Sequence, residues 1–314
     1  MRFGVIGFGK IAKKFIQSIE YTSDGNIYAI ASHSIDKNDL YLKEHPDIKV
    51  YHDYEALLND QNVEAVYIAL PHKYHKEWIL KAIDHHIPVL SEKPMVLTVS
   101  DIDEIKELAN SNKVYCLEAL KTKFNQGFGH LKTDLELIGK VKKIETSFGF
   151  DATAFQDTSY LFDLVQGGAL NDVGSYLLGF ILELNKTKIV NIESKIELVA
   201  GIERYFEAQI TFKDNCLAIA RGAIDRNQER LAIIEGELGK IEIPMFNRIV
   251  DYRIIINDGT IIERNYPIIG DDMTLEIQSF INDVRSHKLE SNIHSLDDTK
   301  KILELTNKIR EAAK

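Results

Sequence analysis

Between Arg2 and Glu118 the chain repeats one pattern: a short apolar run, a turn, then a segment of helical periodicity. The runs at 3–6, 27–32, 65–70, 89–92 and 114–117 are candidate strands, and their near-continuous apolar character suits strands covered on both faces. Between them, Ile11, Ala12, Phe15, Ile16 and Ile19 make one helical stripe, Trp78, Ile79, Ala82 and Ile83 a second, and Ile102, Ile105, Leu108 and Ala109 a third. Strands alternating with helices predict an α/β fold, a doubly wound parallel sheet with helices over it.

After about residue 120 the period changes. Segments 141–150, 189–200, 205–212 and 217–223 are longer and alternate apolar with polar residues, as strands of a largely antiparallel sheet with one buried face do. Segments 254–257 and 260–263 flank Asp258-Gly259, a dipeptide that supplies the positive φ of a hairpin turn. Two helices follow, 274–284 and 296–312, the second with Asp297 and Asp298 in its first turn, complementing the helix dipole. With 314 residues the chain has room for about two domains. They are read as 1–119 and 120–314, the latter an α+β domain with a large, mostly antiparallel open sheet whose final helix can pack back on the first domain.

The first strand runs directly into Gly7-Phe8-Gly9-Lys10-Ile11-Ala12, which fits G-x-G-x-x-G/A. In that pattern the first glycine permits the tight turn, the second lets backbone approach a pyrophosphate, and the small third residue keeps helix and strand close. A strand before it and a helix after it are the context in which the motif binds a dinucleotide, and they define the first domain as Rossmann-type. The plainer alternative is a glycine-rich turn with no ligand. At the end of the second strand an NAD site usually holds a carboxylate for the ribose 2′-hydroxyl. Here the chain reads Ala31-Ser32-His33-Ser34, with Lys37 nearby. Hydroxyls, an imidazole and an ammonium suit a 2′-phosphate, so Ser32, His33 and Lys37 favour NADP, with NAD as the second choice.

Other classes are excluded by composition. A net charge of -10 without a basic block leaves no nucleic-acid footprint. No apolar run approaches bilayer length and no leader opens the chain, which predicts a cytoplasmic protein that does not engage membranes. Cys116 and Cys216 are too few for a metal cluster or a disulfide framework and read as small buried residues. His72 and His75 lack carboxylate or thiolate company, so no metal site is assigned.

Five stretches together resemble the Gfo/Idh/MocA oxidoreductase family over nearly the whole chain. They are the glycine turn, Ala69-Leu70-Pro71-His72-Lys73-Tyr74-His75, Glu92-Lys93-Pro94, Glu118-Ala119, and the run from Gly167 to Tyr176 that contains Asn171 and Asp172. Tyr176, four residues after Asp172, resembles the dihydrodiol and pentose dehydrogenase branch, as inositol dehydrogenase-like members carry histidine there. Asn171 stands where an apolar residue is common, which points to an altered substrate pocket. The resemblance implies a cis Lys93–Pro94 bond and a homodimer or homotetramer packed through the open sheet face. It also implies a small-molecule substrate, a sugar, polyol or related hydroxy or keto compound.

Hydride transfer to or from nicotinamide needs a group that moves the alcohol proton. Tyr176 can do so if a nearby ammonium lowers its pKa, and Lys93 is the candidate ammonium. The two are assigned the step jointly, because coupled groups titrate as a pair. Asp172 would share a helical face with Tyr176 and orient substrate hydroxyls, or else serve as an N-terminal dipole partner. Leu70, Pro71, His72, His75 and Glu92 are assigned to the cofactor, His75 as a lining of the nicotinamide pocket. Two competing readings remain: a dinucleotide- or sugar-sensing regulator of the same fold, and an NAD-assisted glycosidase. Retention of Lys93, Asp172 and Tyr176 favours a dehydrogenase or reductase.

Overall fold

The structure, a computed structural model, describes residues 1–36, 39–268 and 270–313. The chain divides into two compact units, residues 1–120 with 269–299, and residues 121–268 with 300–314.

The first unit begins with β1 (Arg2–Ile6), α1 (Lys10–Ile19), β2 (Asn26–Ala31), α2 (Leu40–Glu44) and β3 (Lys49–Tyr51). It continues with α3 (Tyr54–Leu58), β4 (Ala65–Ile68), α4 (His75–Asp84), β5 (Val89–Glu92), α5 (Val99–Asn112) and β6 (Cys116–Ala119). All its strands pair in parallel, in the order β3-β2-β1-β4-β5-β6. The order reverses between β1 and β4, and the strand ends there form the crevice where such sheets take ligands. Apart from Arg2, β1 and β4 are apolar and buried, as strands with helices on both faces must be. The last strand starts two residues later than the 114–117 run suggests, and the short β3 has no apolar run to announce it.

The second unit contains α6 (Gln126–Asp134), β7 (Val141–Asp151), α7 (Ala169–Asp172) and α8 (Gly174–Leu184). Then come β8 (Ile189–Val199), β9 (Ile202–Phe212), β10 (Leu217–Ala223), β11 (Asp225–Gly236), β12 (Gly239–Pro244), β13 (Asp251–Ile256) and β14 (Ile261–Asn265). Its sheet runs β14-β13-β12-β11-β7-β10-β9-β8 and is antiparallel except where β10 pairs with β7. Even-numbered residues of β9, from Ile202 to Phe212, are buried on one face while the odd-numbered ones are partly or fully exposed, which is the alternation read from the sequence. Gly222 is needed at mid-sheet, since a Cβ there would meet the Phe206 ring at 2.3 Å. β11 escaped the sequence reading because Arg226 to Arg230 is a polar run without period-2 character, and the short β12 was also missed, although its Lys240 to Ile243 alternates.

The domain boundary also differs from a single cut after residue 119. α9 (Thr274–Arg285) belongs to the first unit. Its Phe280 is fully buried, 5.6 Å from Phe3 and 5.4 Å from Tyr115 between ring centroids. Asp283 of the same helix accepts the Tyr115 hydroxyl at 2.8 Å. Burying a phenylalanine contributes about 1.5–3 kcal/mol toward holding this return segment on the first core. The last helix, α10 (Leu296–Ala312), has its opening residues in the first unit and Lys300 onward in the second.

Candidate active site

The chain leaves β1 through Gly7, whose φ is +97° and where a Cβ would meet the Ala69 carbonyl oxygen at 2.5 Å. No side chain is tolerated there. Gly9 has ordinary φ (-83°), yet a Cβ there would touch nothing within 4 Å, so bare backbone faces open space. Among the described residues no side chain caps α1, and the positive end of its dipole suits an anion. Ala12 is fully buried and Lys10 and Ile11 are exposed; Phe8 lies under the Lys13 ammonium, 4.7 Å from the ring centre. The turn therefore fits a pyrophosphate.

At the end of β2, Ser32 is buried, its N–H bonded to the Tyr51 carbonyl at 3.0 Å and its hydroxyl accepting the Ser34 N–H at 3.4 Å. His33 is exposed, with Nδ1 2.9 Å from the His52 carbonyl oxygen. Lys37 lies outside the described residues.

After β4, Leu70 and Pro71 lead into a tight turn, His72–Tyr74, and then α4. His72 and His75 are both buried, His75 completely. The His75 ring reaches two carbonyls, Leu70 at 2.7 Å from Nε2 and Pro94 at 3.0 Å from Nδ1. It stands behind the two loops rather than at their surface, so it acts on the Lys93 turn by holding backbone. Burial lowers its pKa, against the opposing pull of the Leu70 and Pro94 carbonyls.

At the end of β5, Glu92 accepts the Tyr67 hydroxyl at 2.5 Å and the Lys93 N–H at 3.3 Å. The Lys93–Pro94 peptide is cis. The next amide, Met95 N–H, donates at 2.9 Å to Oε1 of Glu118, a fully enclosed carboxylate on β6. Oε2 of Glu118 is held by His294 Nε2 at 2.8 Å and by the Thr299 hydroxyl at 2.9 Å. Burial pushes the Glu118 pKa upward, but these bonds and the His294 charge hold it below the usual carboxylate value. His294 and Thr299 lie 176 and 181 residues from Glu118, and no spacing in the sequence connects them.

In the second unit, Asp172 and Tyr176 are both buried. The helix carrying them is broken: α7 ends at Asp172, Val173 intervenes, and α8 begins at Gly174 instead of near Asn171. Tyr176 lies over Phe148 of β7, with ring centroids 5.8 Å apart. The Asn171 amide is held at both of its ends. Its Nδ2 donates to the Gly167 carbonyl at 2.9 Å and the Gln166 carbonyl at 3.3 Å, and its Oδ1 accepts from Arg310 at 2.8 Å. Arg310, on α10, also grips both Glu203 oxygens, at 2.7 and 3.0 Å. Gly168, with φ of +101°, passes so close to Glu203 that a Cβ would sit 2.9 Å from Oε2. Arg310 and Glu203 were not legible as site residues.

A parallel sheet with its glycine turn at the switch point and a braced lysine turn defines a nicotinamide-dependent oxidoreductase, and the comparisons agree. Residues 1–119 match the profile of the GFO_IDH_MocA oxidoreductase family, NAD-binding Rossmann fold. Over these residues the chain is similar to this family. It is 26% identical over 98% of its length to an NADP-dependent scyllo-inositol 2-dehydrogenase of Bacillus subtilis (strain 168), of which 96% is covered. It is 24% identical over 77% of its length to a trans-1,2-dihydrobenzene-1,2-diol dehydrogenase of Xenopus tropicalis, of which 75% is covered. Among solved structures, aldose-aldose oxidoreductase from Caulobacter crescentus aligns with a TM-score of 0.89 at 18% identity, over all of this chain and 97% of that one. A 3-ketoreductase from Actinomadura kijaniata, solved with NADP and TDP-benzene, also aligns at 0.89, with 22% identity, over 100% and 98% of the two chains. These two likenesses are of fold.

Proposed function

We propose that the chain is an NADP-preferring dehydrogenase or reductase of a sugar, polyol or related compound, active in the cytoplasm as a homodimer or homotetramer. The observation that carries the reading is the Lys93 turn, whose backbone is tied on one side by Glu118 and on the other by His75. A lysine in an incidental surface turn has no need of a buried carboxylate and a buried imidazole behind it. The NADP preference rests on the carboxylate-free end of β2 and is in keeping with the cofactor named for the Bacillus relative.

In this reading the Gly7–Gly9 turn and the start of α1 hold the pyrophosphate, and Ser32 and His33, with Lys37, take the 2′-phosphate. Leu70, Pro71, His72 and Glu92 shape the nicotinamide end. Bound nicotinamide supplies or accepts the hydride. Tyr176 Oη and Lys93 Nζ together hold and move the proton of the reacting hydroxyl, the ammonium favouring tyrosinate and alkoxide character. Asp172 orients neighbouring substrate hydroxyls.

The test is fluorescence titration with NADPH and NADH, then a panel of sugars, polyols and dicarbonyls with the Lys93→Met variant alongside. NADPH is expected to bind more tightly, and the variant to bind cofactor while losing turnover by a hundredfold or more, on the order of general acid–base contributions. Tenfold tighter NADH binding overturns the cofactor assignment, and unchanged turnover overturns the role of Lys93. Cofactor binding with no turnover of any substrate favours a sensor.

A further inference from the structure

The pairing of β11 with β7 contains an extra residue. Gln228 stands opposite Gly149 and Leu231 opposite Ser147, so three steps along β11 match two along β7. A regular ladder continued from Gln228 would put Arg230 opposite Ser147, on the open face. The regular ladder from Glu235 to Leu231 instead carries Arg230 to the face of Phe148, and the irregularity lies on its Gln228 side. The Arg230 guanidinium lies 4.6 Å from the centre of the Phe148 ring, and the Tyr176 ring lies 5.8 Å from the same ring.

Arg230 is only partly exposed, and among the described residues it makes no hydrogen bond or ion pair. The charged or titratable groups that act on it are Arg248, which repels it, and Tyr176; burial and Arg248 both lower its pKa. An aromatic face satisfies one side of a guanidinium but none of its in-plane donors. A cation held at this place by the ladder and the Phe148 ring, beside a second arginine and with no carboxylate among the described residues acting on it, is set up to receive a carboxylate or phosphate bidentately.

We infer that the substrate carries an anionic group, a carboxylate or a phosphate, that Arg230 binds beside Tyr176. The inference rests on the assignment of Tyr176 to the reacting hydroxyl and narrows the substrate to acidic or phosphorylated sugars and polyols.

Two measurements at fixed ionic strength test it on the full-length protein, calorimetric binding and initial rates with NADP or NADPH. The probes are glucose, glucuronate and glucose 6-phosphate, against wild type, Arg230→Gln, Arg230→Lys, and Arg253→Gln as a charge-matched control on β13. One anion is expected to bind at least tenfold more tightly than glucose, and whichever does so identifies the group. Arg230→Gln should abolish that advantage, Arg230→Lys should keep part of it, and Arg253→Gln should leave it intact. Equal binding of all three probes, no binding by either anion, or an advantage that survives Arg230→Gln overturns the inference. So does an equal loss of rate on glucose and on the anions, which would make Arg230 a partner of Tyr176 alone. Arg230-dependent anion binding without turnover would leave the anion site standing and the oxidoreductase reading failed; turnover of glucose with no anion preference would do the reverse.

Discussion

His75 Nδ1 lies 3.0 Å from the carbonyl oxygen of Pro94, and the other ring nitrogen lies 2.7 Å from that of Leu70. Both partners are acceptors, so only an imidazolium can donate to the two at once, and a neutral ring donates to one. Burial lowers the His75 pKa, which makes the neutral ring the resting form and leaves one of the two contacts without a hydrogen.

A histidine with a lowered folded pKa binds its proton less readily folded than unfolded. Its full contribution to stability is present above the unfolded value of about 6.5 and is lost as pH falls from there toward the lowered folded value. Urea unfolding of the wild type should therefore weaken below about pH 6.5, and His75→Gln should flatten that limb. His75→Ala, which removes donor and packing together, should cost about 2–4 kcal/mol at pH 7.

Glu118 behaves oppositely in sign of charge but similarly in direction. Its lowered pKa gives stability that is present above the unfolded value of about 4.3 and lost as pH falls through the folded one. Glu118→Ala leaves His294, Thr299 and the Met95 amide without their acceptor and should cost about 3–5 kcal/mol by urea midpoint. Glu118→Gln should cost less at pH 7, and its stability should be flatter than wild type on the acid side. Because Met95 follows the Lys93–Pro94 pair, turnover should fall in both variants.

Arg310 ties α10 to Glu203 and to Asn171, the residue before Asp172. Arg310→Ala should lower stability by about 1–3 kcal/mol, since the pair is partly exposed. Arg310→Lys should recover much of the melting temperature, but not kcat, because an ammonium cannot bridge both partners with the planar fork. A kcat that tracks melting temperature across the two variants would reduce Arg310 to a structural role.

The parts legible in the sequence were those whose physics is local. The Gly7–Ala12 turn, the apolar runs of β1 and β4, the alternation of β9 and the Lys93-Pro94 pair are each dictated by neighbours within a few residues, through φ restriction, periodicity or a missing Cβ. The polar start of β11 was not legible: between Arg226 and Arg230 only Gln228 pairs with β7, with a register shift on each side of it.

By itself the sequence determined the class of sheet in each half and the place of the glycine turn, and it nominated the lysine, aspartate and tyrosine proposed for the chemistry. Only the tertiary structure decided what braces and surrounds them. Nothing in the sequence joins Asn171 to Arg310, 139 residues away, which holds its side chain. Glu118 is a strand-end carboxylate until His294 closes on it, and Arg230 has no assigned face until the register of β11 on β7 sets it against Phe148. Contacts across such separations follow from how whole elements pack and pair, and no local preference in the chain encodes them.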